Sequence, residues 1–352
     1  MNNLLQKLIS EKRLSVSEYK TLAESYTSET AAFLRAEADK VRRSVYGNAV
    51  FIRGLIEISN ICKNDCYYCG IRASNKNCDR YRLTPDEILE CAREGEKLGF
   101  RTFVLQGGED GFFTDDILCD IITEIKREMP HCAVTLSLGE RSYESYKRLK
   151  EAGADRYLLR HETADAEHYR KLHPENLSLE NRIKCLENLR LAGFQVGAGF
   201  MVSSPYQTSE HIAKDLKFIE EFQPDMCGIG PFIPHKDTPF ASFVGGNAEY
   251  TCYLLSIVRI ICPEVLLPAT TALATIKEDG RELGLKSGAN VIMPNLSPQS
   301  VREKYMLYNN KKSSGDEAAE ELNNLKIKIK SIGYEIVTDR GDTRKEKDYG
   351  KV

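Results

Sequence analysis

Residues 55–70 read LIEISNICKNDCYYCG, a short apolar run followed closely by three cysteines. Cys62, Cys66 and Cys69 are separated by three and then two residues, so one short loop carries all three thiols. In parallel α/β barrels the reactive groups lie at the C-terminal ends of the strands, where each strand leads into its loop. This stretch therefore predicts a strand that delivers three thiols to an active site.

Short apolar runs recur along the chain, and most are separated by segments with helical periodicity. The runs are Leu55–Ser59, Thr102–Gln106, Ala133–Ser137, Arg156–Leu159, Val196–Met201, Met226–Ile229, Val265–Ala269 and Asn290–Met293. The helical segments are Thr84–Gly99, Thr114–Met129, Ser142–Ala152, Ser178–Leu191, Ser209–Phe222 and Tyr250–Ile261. Eight strand–helix alternations over about 240 residues favour a fold of the α/β class, a closed (β/α)8 TIM-type barrel, over a doubly wound sheet.

The two ends of the chain lack this alternation. Residues 1–47 show apolar helical stripes and a Ser15–Glu18 capping box, which predict N-terminal helices packed on the barrel. We expect the barrel to occupy residues 48–310 and a short α/β addition to occupy residues 311–352. Within that addition the pattern predicts a helix, a short strand and a solvated polar tail, over Asp316–Ile332, Tyr334–Val337 and Asp339–Val352 respectively.

Composition excludes several classes of protein. The 352 residues include 49 Lys and Arg against 52 Asp and Glu, a net charge of −3, and 41% are hydrophobic, which argues against a disordered chain. A charge this close to zero argues against broad binding to nucleic acid or to anionic membranes. The best candidate for a membrane span, Leu254–Ile276, contains charges and prolines, and the N-terminus has no apolar signal segment. We therefore expect a cytoplasmic protein.

The most unusual feature of this composition is its eleven cysteines. An odd count, a long chain and no export signal indicate reduced thiols rather than disulfides. Three thiolates on one loop can hold a cubane [4Fe–4S] cluster, whose fourth iron then binds a small molecule. Zinc with Cys78 as the fourth ligand, and inert thiols, are the alternatives. The cysteines without paired spacing predict packing residues: Cys78, Cys91, Cys119, Cys132, Cys185, Cys227, Cys252 and Cys262.

Further motifs lie at the ends of the predicted strands. They are QGGE at 106–109, RYLLRHET at 156–163, GAGFM at 197–201, GIGPFIPH at 228–235, PATTA at 268–272 and GANVIMPN at 288–295. With the CxxxCxxC loop, in which Tyr68 precedes the last cysteine, they resemble the radical S-adenosylmethionine (SAM) enzymes from about residue 40 to 310. The resemblance is to the biotin-synthase-like branch, and within it to the HydE family of [FeFe]-hydrogenase maturases.

The resemblance implies one [4Fe–4S] cluster on Cys62, Cys66 and Cys69, with SAM chelated to its open iron. One electron passed through the cluster then cleaves SAM to methionine and a 5′-deoxyadenosyl radical, while the protein orients the reactants and excludes water. The residues expected to contact SAM are Tyr68, Gln106, Gly107, Gly108, Glu109, Thr135, Ser137, Glu162, Arg182, Met293 and Tyr305. No catalytic residue is expected beyond the cluster and SAM.

Some of these residues also have plainer interpretations. The guanidinium of Arg182 matches the two oxygens of a carboxylate. An arginine in a helix is equally typical of a solvated surface charge. Glu162 is able to form an ion pair with Arg160. Gly107 and Gly108 are also typical of an ordinary turn, and Met293 is typical of a core residue.

Polar groups facing the barrel interior are expected to bind the substrate: Arg160, Thr270, Thr271 and Tyr308. Hydroxyls and a guanidinium suit an anionic or carboxylate-bearing small molecule, although ordinary polar filling of a barrel has the same composition. Tyr305 and Tyr308 follow the last strand and either cover the cavity mouth or lie on the surface. His161 is either a proton donor or a structural histidine.

For function, the resemblance implies attack of the radical on an iron–carbonyl–cyanide cysteine precursor during assembly of the [FeFe]-hydrogenase active site, the H-cluster. The implied partners are this small molecule, an electron donor such as reduced ferredoxin or flavodoxin, and other hydrogenase maturases.

Biotin synthase is disfavoured, because the second, third and fifth strands end in Gln106, Ser137 and Met201 rather than in cysteine ligands for a second cluster. No cysteine follows Cys262, so a second, C-terminal cluster is not expected. The alternatives are an amino-acid mutase of the methylornithine synthase type and, in a different class, a zinc-stabilised barrel that binds without redox chemistry.

Overall fold

A computed structural model describes residues 2–313 and 319–345, and a ring of parallel strands forms its centre. The strands are β1 (Ala49–Ile52), β2 (Gly54–Ser59), β3 (Thr102–Gly107), β4 (Ala133–Ser137), β5 (Arg156–Leu158), β6 (Gln195–Ala198), β7 (Met201–Val202), β8 (Met226–Cys227), β9 (Gly230–Pro231), β10 (Val291–Ile292) and β11 (Glu335–Val337). Six of them form one sheet in the order β2-β3-β4-β5-β6-β8. These strands are buried along most of their length, which explains why they appear in the sequence as continuous apolar runs.

Isolated parallel bridges close the six-stranded sheet into a barrel. The bridging pairs are Met226–Leu266, Pro268–Val291 and Leu55–Asn295. An irregular segment around residues 265–269 therefore occupies the seventh position of the ring, where a regular strand is predicted. Pro268 has no backbone N–H to donate, which interrupts a ladder at this point. The prediction of an α/β-class (β/α)8 TIM-type barrel is confirmed.

The fifth predicted run is broken into β6 and β7, and a separate short strand, β9, follows the sixth predicted run. Gly199 lies between β6 and β7 with φ of +148°, a conformation that L side chains rarely adopt. A Cβ atom at this position would lie 2.1 Å from the carbonyl oxygen of Gly228. The backbones therefore approach too closely for a residue other than glycine, and β7 and β9 pair separately beyond the break.

Helices connect the strands and cover the outside of the barrel. They are α1 (Asn2–Glu11), α2 (Val16–Glu24), α3 (Ser28–Tyr46), α4 (Pro85–Lys97), α5 (Asp115–Glu128), α6 (Tyr143–Glu151), α7 (Ala166–Leu172), α8 (Leu179–Leu191), α9 (Ser209–Phe222), α10 (Ala248–Ile261), α11 (Thr271–Ile276), α12 (Gly280–Lys286), α13 (Gln299–Arg302) and α14 (Leu322–Ser331). The predicted inter-strand helices correspond to α4, α5, α6, α8, α9 and α10. Sequence periodicity misses α7, α11, α12 and α13, because four to seven residues span two turns or fewer. Within the described ranges, no helix is long and apolar enough to cross a membrane.

The N-terminal helices pack on the outer helical layer. α2 lies against α9, and α3 lies against α10. The predicted capping box at the start of α2 is present, because Ser15 accepts the Glu18 N–H and Glu18 accepts the Ser15 N–H at 2.8 Å. The buried hydroxyl of Tyr19 donates to Glu220 Oε2 at 2.8 Å, which ties α2 to α9.

The C-terminal segment closes the N-terminal end of the barrel. β11 pairs in parallel with β1, in agreement with the predicted short strand. Residues 339–345 then reach Arg156, the fully buried first residue of β5. Arg156 donates to Asp342 Oδ1 at 2.6 Å and to the Arg340 carbonyl at 2.8 Å.

The prediction of a solvated tail is therefore wrong for residues 339–345. The physical reason is the buried arginine on β5, since a buried cation requires an anionic partner and Asp342 supplies it. Residues 346–352 of the predicted tail, and residues 316–318 of the predicted Asp316–Ile332 helix, lie outside the described residues. The described part of that helix begins at Leu322, after a short 3-10 turn over Ala319–Glu321.

Candidate active site

A cavity of about 350 Å³ lies at the C-terminal ends of the barrel strands. Its wall combines strand ends, the cysteine loop and the segment that follows β10. The predicted site residues that line it are Tyr68, Cys69, Gln106, Gly107, Ser137, Arg160, Glu162, Arg182, Thr270, Thr271, Met293, Tyr305 and Tyr308. The barrel thus brings residues from almost its whole length into one space.

The cysteine loop is folded around the guanidinium of Arg80. This group donates to the carbonyl oxygens of Asn60, Ile71, Arg72 and Asn75 at 2.6, 2.7, 2.6 and 3.1 Å. A guanidinium carries five N–H donors in a rigid fork, so one side chain satisfies carbonyls from both ends of the loop. This arrangement fixes the path of the chain between those carbonyls, and the three cysteines lie on that path.

Two neighbouring segments dock on the same loop. The Gly70 N–H donates to the Leu307 carbonyl at 2.9 Å, and the Glu109 N–H donates to Cys62 Sγ at 3.4 Å. Gly108 permits the second contact, because a Cβ atom there would lie 2.3 Å from the Ile61 carbonyl oxygen. Gly108 therefore contacts the cysteine loop, whereas its neighbour Gly107 lines the cavity.

The three loop thiols lie in a buried environment that disfavours their ionised form. Burial raises the pKa of Cys62, of Cys66 and of Cys69, the last to about 12. The neighbouring loop cysteines further raise the pKa of Cys66 and Cys69, because thiolates repel one another. A metal centre reverses this preference, since its positive charge stabilises the thiolates that ligate it.

The donor set fits a cluster better than a single metal ion. In residues 2–313 and 319–345, no three His, Cys, Asp or Glu side chains are arranged to hold one ion. Zinc requires thiolates at about 2.3 Å from one centre, whereas a cubane places each thiolate on a different iron and so spaces them further apart. Cys78, the suggested fourth zinc ligand, instead accepts a hydrogen bond from Asn60 Nδ2 at 3.5 Å.

Arg182 is buried at the cavity wall and is not a solvated helix charge. Its Nε atom donates to Glu140 Oε1 at 2.6 Å, and its Nη1 atom donates to the Arg160 carbonyl at 2.8 Å. Both contacts orient the guanidinium, so it is held in place before any ligand binds.

Glu162 combines backbone strain with an incompletely paired carboxylate. Its φ of +66° is in the left-handed region, which is costly for a residue with a side chain and is concentrated at functional sites. Its Oε2 atom lies 3.0 Å from Arg160 Nη2, so the ion pair predicted as the plainer alternative is present. The two groups are poorly aligned, however, and neither of these atoms makes a hydrogen bond within the described chain.

Several buried polar atoms of the cavity are without a partner. In the part of the chain that the structure describes, Arg160 Nε and Thr270 Oγ1 also make no hydrogen bond. Buried polar groups are almost always satisfied, so a cluster of exceptions in one cavity indicates groups that pair with a ligand. These atoms fit a polar cofactor or substrate better than they fit ordinary barrel filling.

Three predicted SAM contacts lie outside the cavity lining: Gly108, which contacts the cysteine loop, Glu109 and Thr135. Glu109 accepts the Glu140 N–H at 3.1 Å, and its other oxygen lies 3.1 Å from Lys63 Nζ, so its carboxylate points to the outer loops. Thr135 lines a separate space of about 20 Å³ beside Arg53, deeper in the barrel. One residue of a motif can face the cavity while the next faces away, and a single sequence does not reveal that direction.

The tyrosines after the last strand cover the cavity. Tyr305 is buried, and its hydroxyl interacts with Gln106, so the alternative of a surface aromatic is wrong for this residue. Tyr308 is partly buried and also lines the cavity. Tyr68 reaches across to His173, with 3.2 Å between its hydroxyl and Nε2.

Glu57 and Lys311 line the same cavity and are absent from the predicted site. Their side chains form an ion pair at 2.6 Å. Glu57 is the one acidic residue in the apolar run LIEIS, and such an isolated charge is a signal that a sequence reading can use. Lys311 gives no comparable signal, because it lies in a polar segment.

His161 is a fully buried residue at the end of the fourth strand region. Its Nδ1 accepts the Gly199 N–H at 3.3 Å, and its Nε2 lies 3.3 Å from the buried Asp215. Burial lowers the pKa of His161 to about 3, with a further contribution from Arg160 and Arg182. A neutral, buried ring of this kind matches the structural alternative better than a proton donor.

The other cysteines are free thiols with no disulfide among them. Six are buried: Cys91, Cys132, Cys185, Cys227, Cys252 and Cys262. Cys78 and Cys119 are partly exposed. The prediction of packing residues is confirmed for the buried six.

Comparison with known proteins gives consistent results. Residues 56–219 match the Radical SAM superfamily. Over 271 residues, 77% of each chain, the protein is 51% identical to the [FeFe] hydrogenase maturase subunit HydE of Thermotoga maritima. Over 304 residues, 86% of this chain and 85% of the relative, it is 29% identical to 3-methylornithine synthase of Methanosarcina barkeri.

The fold is also found among solved structures. The crystal structure of methylornithine synthase (PylB) matches with a TM-score of 0.82 and 27% identity, covering 95% of this chain and 97% of that one. The [FeFe]-hydrogenase maturase HydG matches with a TM-score of 0.76 and 19% identity, covering 94% of this chain and 74% of that one. At that identity, the second match supports the fold alone.

Proposed function

The chain belongs to the HydE family of the radical SAM superfamily, and from this premise we propose that its substrate is the iron–carbonyl–cyanide cysteine precursor of the H-cluster. The protein is a radical SAM enzyme whose cofactors are a [4Fe–4S] cluster and SAM. The observation that carries the proposal is 51% identity to a hydrogenase maturase over 77% of the chain. A cavity in which buried guanidinium and hydroxyl atoms of the described chain make no hydrogen bond supports it.

When bound, the cluster and SAM supply a 5′-deoxyadenosyl radical through one-electron cleavage of SAM. Cys62, Cys66 and Cys69 would hold the cluster at the cavity wall, where Arg80 fixes the loop that carries them. Arg182 would hold the carboxylate of SAM, because its guanidinium is already oriented by Glu140.

Other residues of the cavity would orient SAM and exclude water. Glu162 Oε2, which lies beside Arg160 but accepts no hydrogen bond within the described chain, would accept one from a hydroxyl or ammonium group of SAM. Further contacts would come from Tyr68, Gln106, Gly107, Ser137, Met293 and Tyr305. The positions of Glu109, Gly108 and Thr135 do not support a direct contact.

The substrate would lie deeper between the strand ends. Arg160 and Thr270 present unpartnered donors to the cavity, which suits the carboxylate of a cysteine-derived complex. Thr271 and Tyr308 line the same space. Tyr305 and Tyr308 close it from outside, which protects a radical from solvent.

An electron donor such as reduced ferredoxin or flavodoxin would reduce the cluster, and other hydrogenase maturases would receive the product. Free thiols throughout the chain support a reducing compartment, the cytoplasm. We also propose the division into helices over 1–47, a barrel over 48–310 and an addition over 311–352, although Lys311 and residues 339–345 are built into the barrel.

A reconstituted hydrogenase maturation system tests this function. Leaving this protein out should abolish activation of apo-hydrogenase, and adding it back should restore activation. Normal activation in its absence would defeat the proposal. Because 3-methylornithine synthase shares 29% identity and the same fold, synthesis of 3-methylornithine by this chain would establish the alternative instead.

A further inference from the structure

A buried ion pair forms part of the cavity wall. Glu57, on β2, has no exposed surface, and the side chain of Lys311 is 6% exposed. Their Oε1 and Nζ atoms lie 2.6 Å apart. The other oxygen of Glu57 accepts a hydrogen bond from Asn295 Nδ2 at 2.9 Å, so both carboxylate oxygens are occupied.

Lys311 reaches the cavity from a segment that runs across its mouth. We call residues 303–313 the strap. The Leu307 carbonyl of the strap accepts the Gly70 N–H at 2.9 Å, and the Asn309 N–H donates to the Pro234 carbonyl at 3.1 Å. These bonds anchor the strap on the cysteine loop and on the loop after β9, so the position of Lys311 follows from the fold.

The ammonium group retains binding capacity. In the described part of the chain, its only hydrogen-bond acceptor is Glu57, although an ammonium carries three N–H donors. The ring of Tyr305 also lies beside it, with the ring centre 5.2 Å from Nζ. Two donors are thus left for a ligand in the cavity that Lys311 lines.

Stability alone does not account for this pair. Burying two charges costs about as much as their attraction returns, so buried ion pairs contribute little net stability. The pair also lies in the cavity that contains Arg160, and the electrostatic neighbours of Tyr308 include both Glu57 and Arg160. Arg160 and Lys311, each paired with a carboxylate, therefore face one space.

We propose that Lys311 determines substrate specificity by binding a carboxylate of the substrate, while Glu57 and Asn295 hold it in position. The inference deepens the proposed function and rests on it only in taking this cavity as the substrate site. A carboxylate matches the free N–H donors of Lys311, because a hydrogen bond from an ammonium to a carboxylate is charge-assisted. Without a substrate, Glu57 keeps the ammonium compensated.

Two small-molecule probes test the inference in the cluster-loaded, SAM-bound protein. L-cysteine carries a carboxylate, and cysteamine is the same molecule without it, so their dissociation constants, measured anaerobically by calorimetry, isolate the carboxylate contact. We expect the wild-type protein to prefer L-cysteine. Lys311→Met should weaken L-cysteine binding about tenfold and leave cysteamine binding unchanged, because a hydrogen bond between charged groups is lost. Lys311→Arg should retain most of the preference.

Glu57→Gln distinguishes a ligand contact from a structural role. It removes the internal competitor of Lys311, so L-cysteine should bind at least as tightly as in the wild type. The exposed neighbour Lys312 supplies the control, and Lys312→Met should change neither constant. A structural pair would instead make Lys311→Met and Glu57→Gln weaken both probes alike.

Parallel losses of that kind, or equal binding of the two probes by the wild type, would overturn the inference. The result is separable from the proposed function, because hydrogenase activation is measured independently. A carboxylate preference that depends on Lys311, in a protein that does not support maturation, would retain the subsite and reject the H-cluster precursor as substrate.

Discussion

Arg80 and the loop cysteines illustrate what single residues contribute to this site. The spacing of the cysteines alone predicts the cluster ligands, because three thiolates on one short loop are able to hold a cubane cluster. The arginine that organises the loop cannot be identified in this way, because Arg72, Arg80 and Arg82 all follow the cysteines in the same stretch of sequence. The fold separates them: Arg72 pairs with Asp65 and Arg82 with Asp110, whereas Arg80 binds four backbone carbonyls.

Replacing Arg80 should therefore impair the loop itself. Arg80→Lys provides a single charged point in place of a planar fork and leaves several loop carbonyls unsatisfied, at about 1–3 kcal/mol for each buried group. We expect less iron per chain after anaerobic reconstitution, together with an altered electron paramagnetic resonance spectrum of the reduced cluster. Arg82→Lys serves as the control. Wild-type iron content and an unchanged spectrum in Arg80→Lys would exclude this positioning role.

Cys66 gives the most direct test of the ligand assignment. Cys66→Ala removes one of the three thiolates, so the cluster should be lost or under-ligated and 5′-deoxyadenosine should no longer form. Liquid chromatography with mass spectrometry measures that product. Cys78→Ala, which changes a nearby thiol, should leave product formation close to the wild-type level. Continued SAM cleavage by Cys66→Ala would place the cluster elsewhere.

Secondary-structure elements were predictable where periodicity extends over several turns and obscure where it does not. The long helices between strands follow from their apolar stripes and N-terminal caps, such as Thr84 before α4. The break between β6 and β7 depends instead on the close approach of Gly199 to Gly228, and these two glycines are far apart in the sequence. The contact between residues 339–345 and β5 also joins segments that are distant in sequence. The polar composition of residues 339–345 instead predicts a solvent-exposed tail.

Residues 339–345, which close the N-terminal end of the barrel, should contribute to stability through Asp342. This carboxylate accepts hydrogen bonds from Arg156 at 2.6 Å and from Gln195 at 2.9 Å. Asp342→Ala should lower the free energy of unfolding by about 1–3 kcal/mol, because Arg156 remains buried without its anion. The lower part of that range is expected, since the Asp342 side chain is 38% exposed and solvent screens the pair.

Urea denaturation measures the effect of Asp342→Ala. A second Arg156→Met substitution should recover part of the loss, because it removes the uncompensated buried charge. Equal urea midpoints for the wild type and Asp342→Ala would show that residues 339–345 do not stabilise the barrel.

Helix α7 contains a pH-sensitive anchor, His168. Its ring nitrogens lie 3.0 Å from Thr163 Oγ1 and 2.9 Å from the Pro205 carbonyl, and burial lowers its pKa to about 4. The unfolded chain takes up this proton near its ordinary pKa of about 6.5, so between these values unfolding is coupled to protonation. The contribution of His168 to stability is complete above about pH 6.5 and is lost progressively as the pH falls towards 4.

We expect this one group to account for about 2 kcal/mol of the stability lost between pH 6.5 and pH 5. His168→Gln does not titrate, so its urea midpoint should fall less than that of the wild type over this range. An identical pH dependence in His168→Gln and the wild type would contradict the assignment.

At the scale of the whole molecule, closure of the barrel creates the cavity. The alternation of strands and helices predicts that closure, and the motifs at the strand ends predict most of the lining residues. Direction is what the sequence leaves open: Gln106 and Gly107 face the cavity, whereas Glu109 of the same motif faces the outer loops. Lys311 was equally inaccessible to prediction, because only the strap brings it to Glu57 across more than 250 positions of sequence.

Reductive cleavage of SAM by the purified protein tests the central claim most directly. The chain should be brown when isolated anaerobically, contain about four iron atoms after reconstitution, and, once reduced with dithionite, convert SAM to methionine and 5′-deoxyadenosine in equal amounts. Mass spectrometry quantifies both products. A colourless protein with one tightly bound zinc ion, which leaves SAM intact under these conditions, would contradict the account.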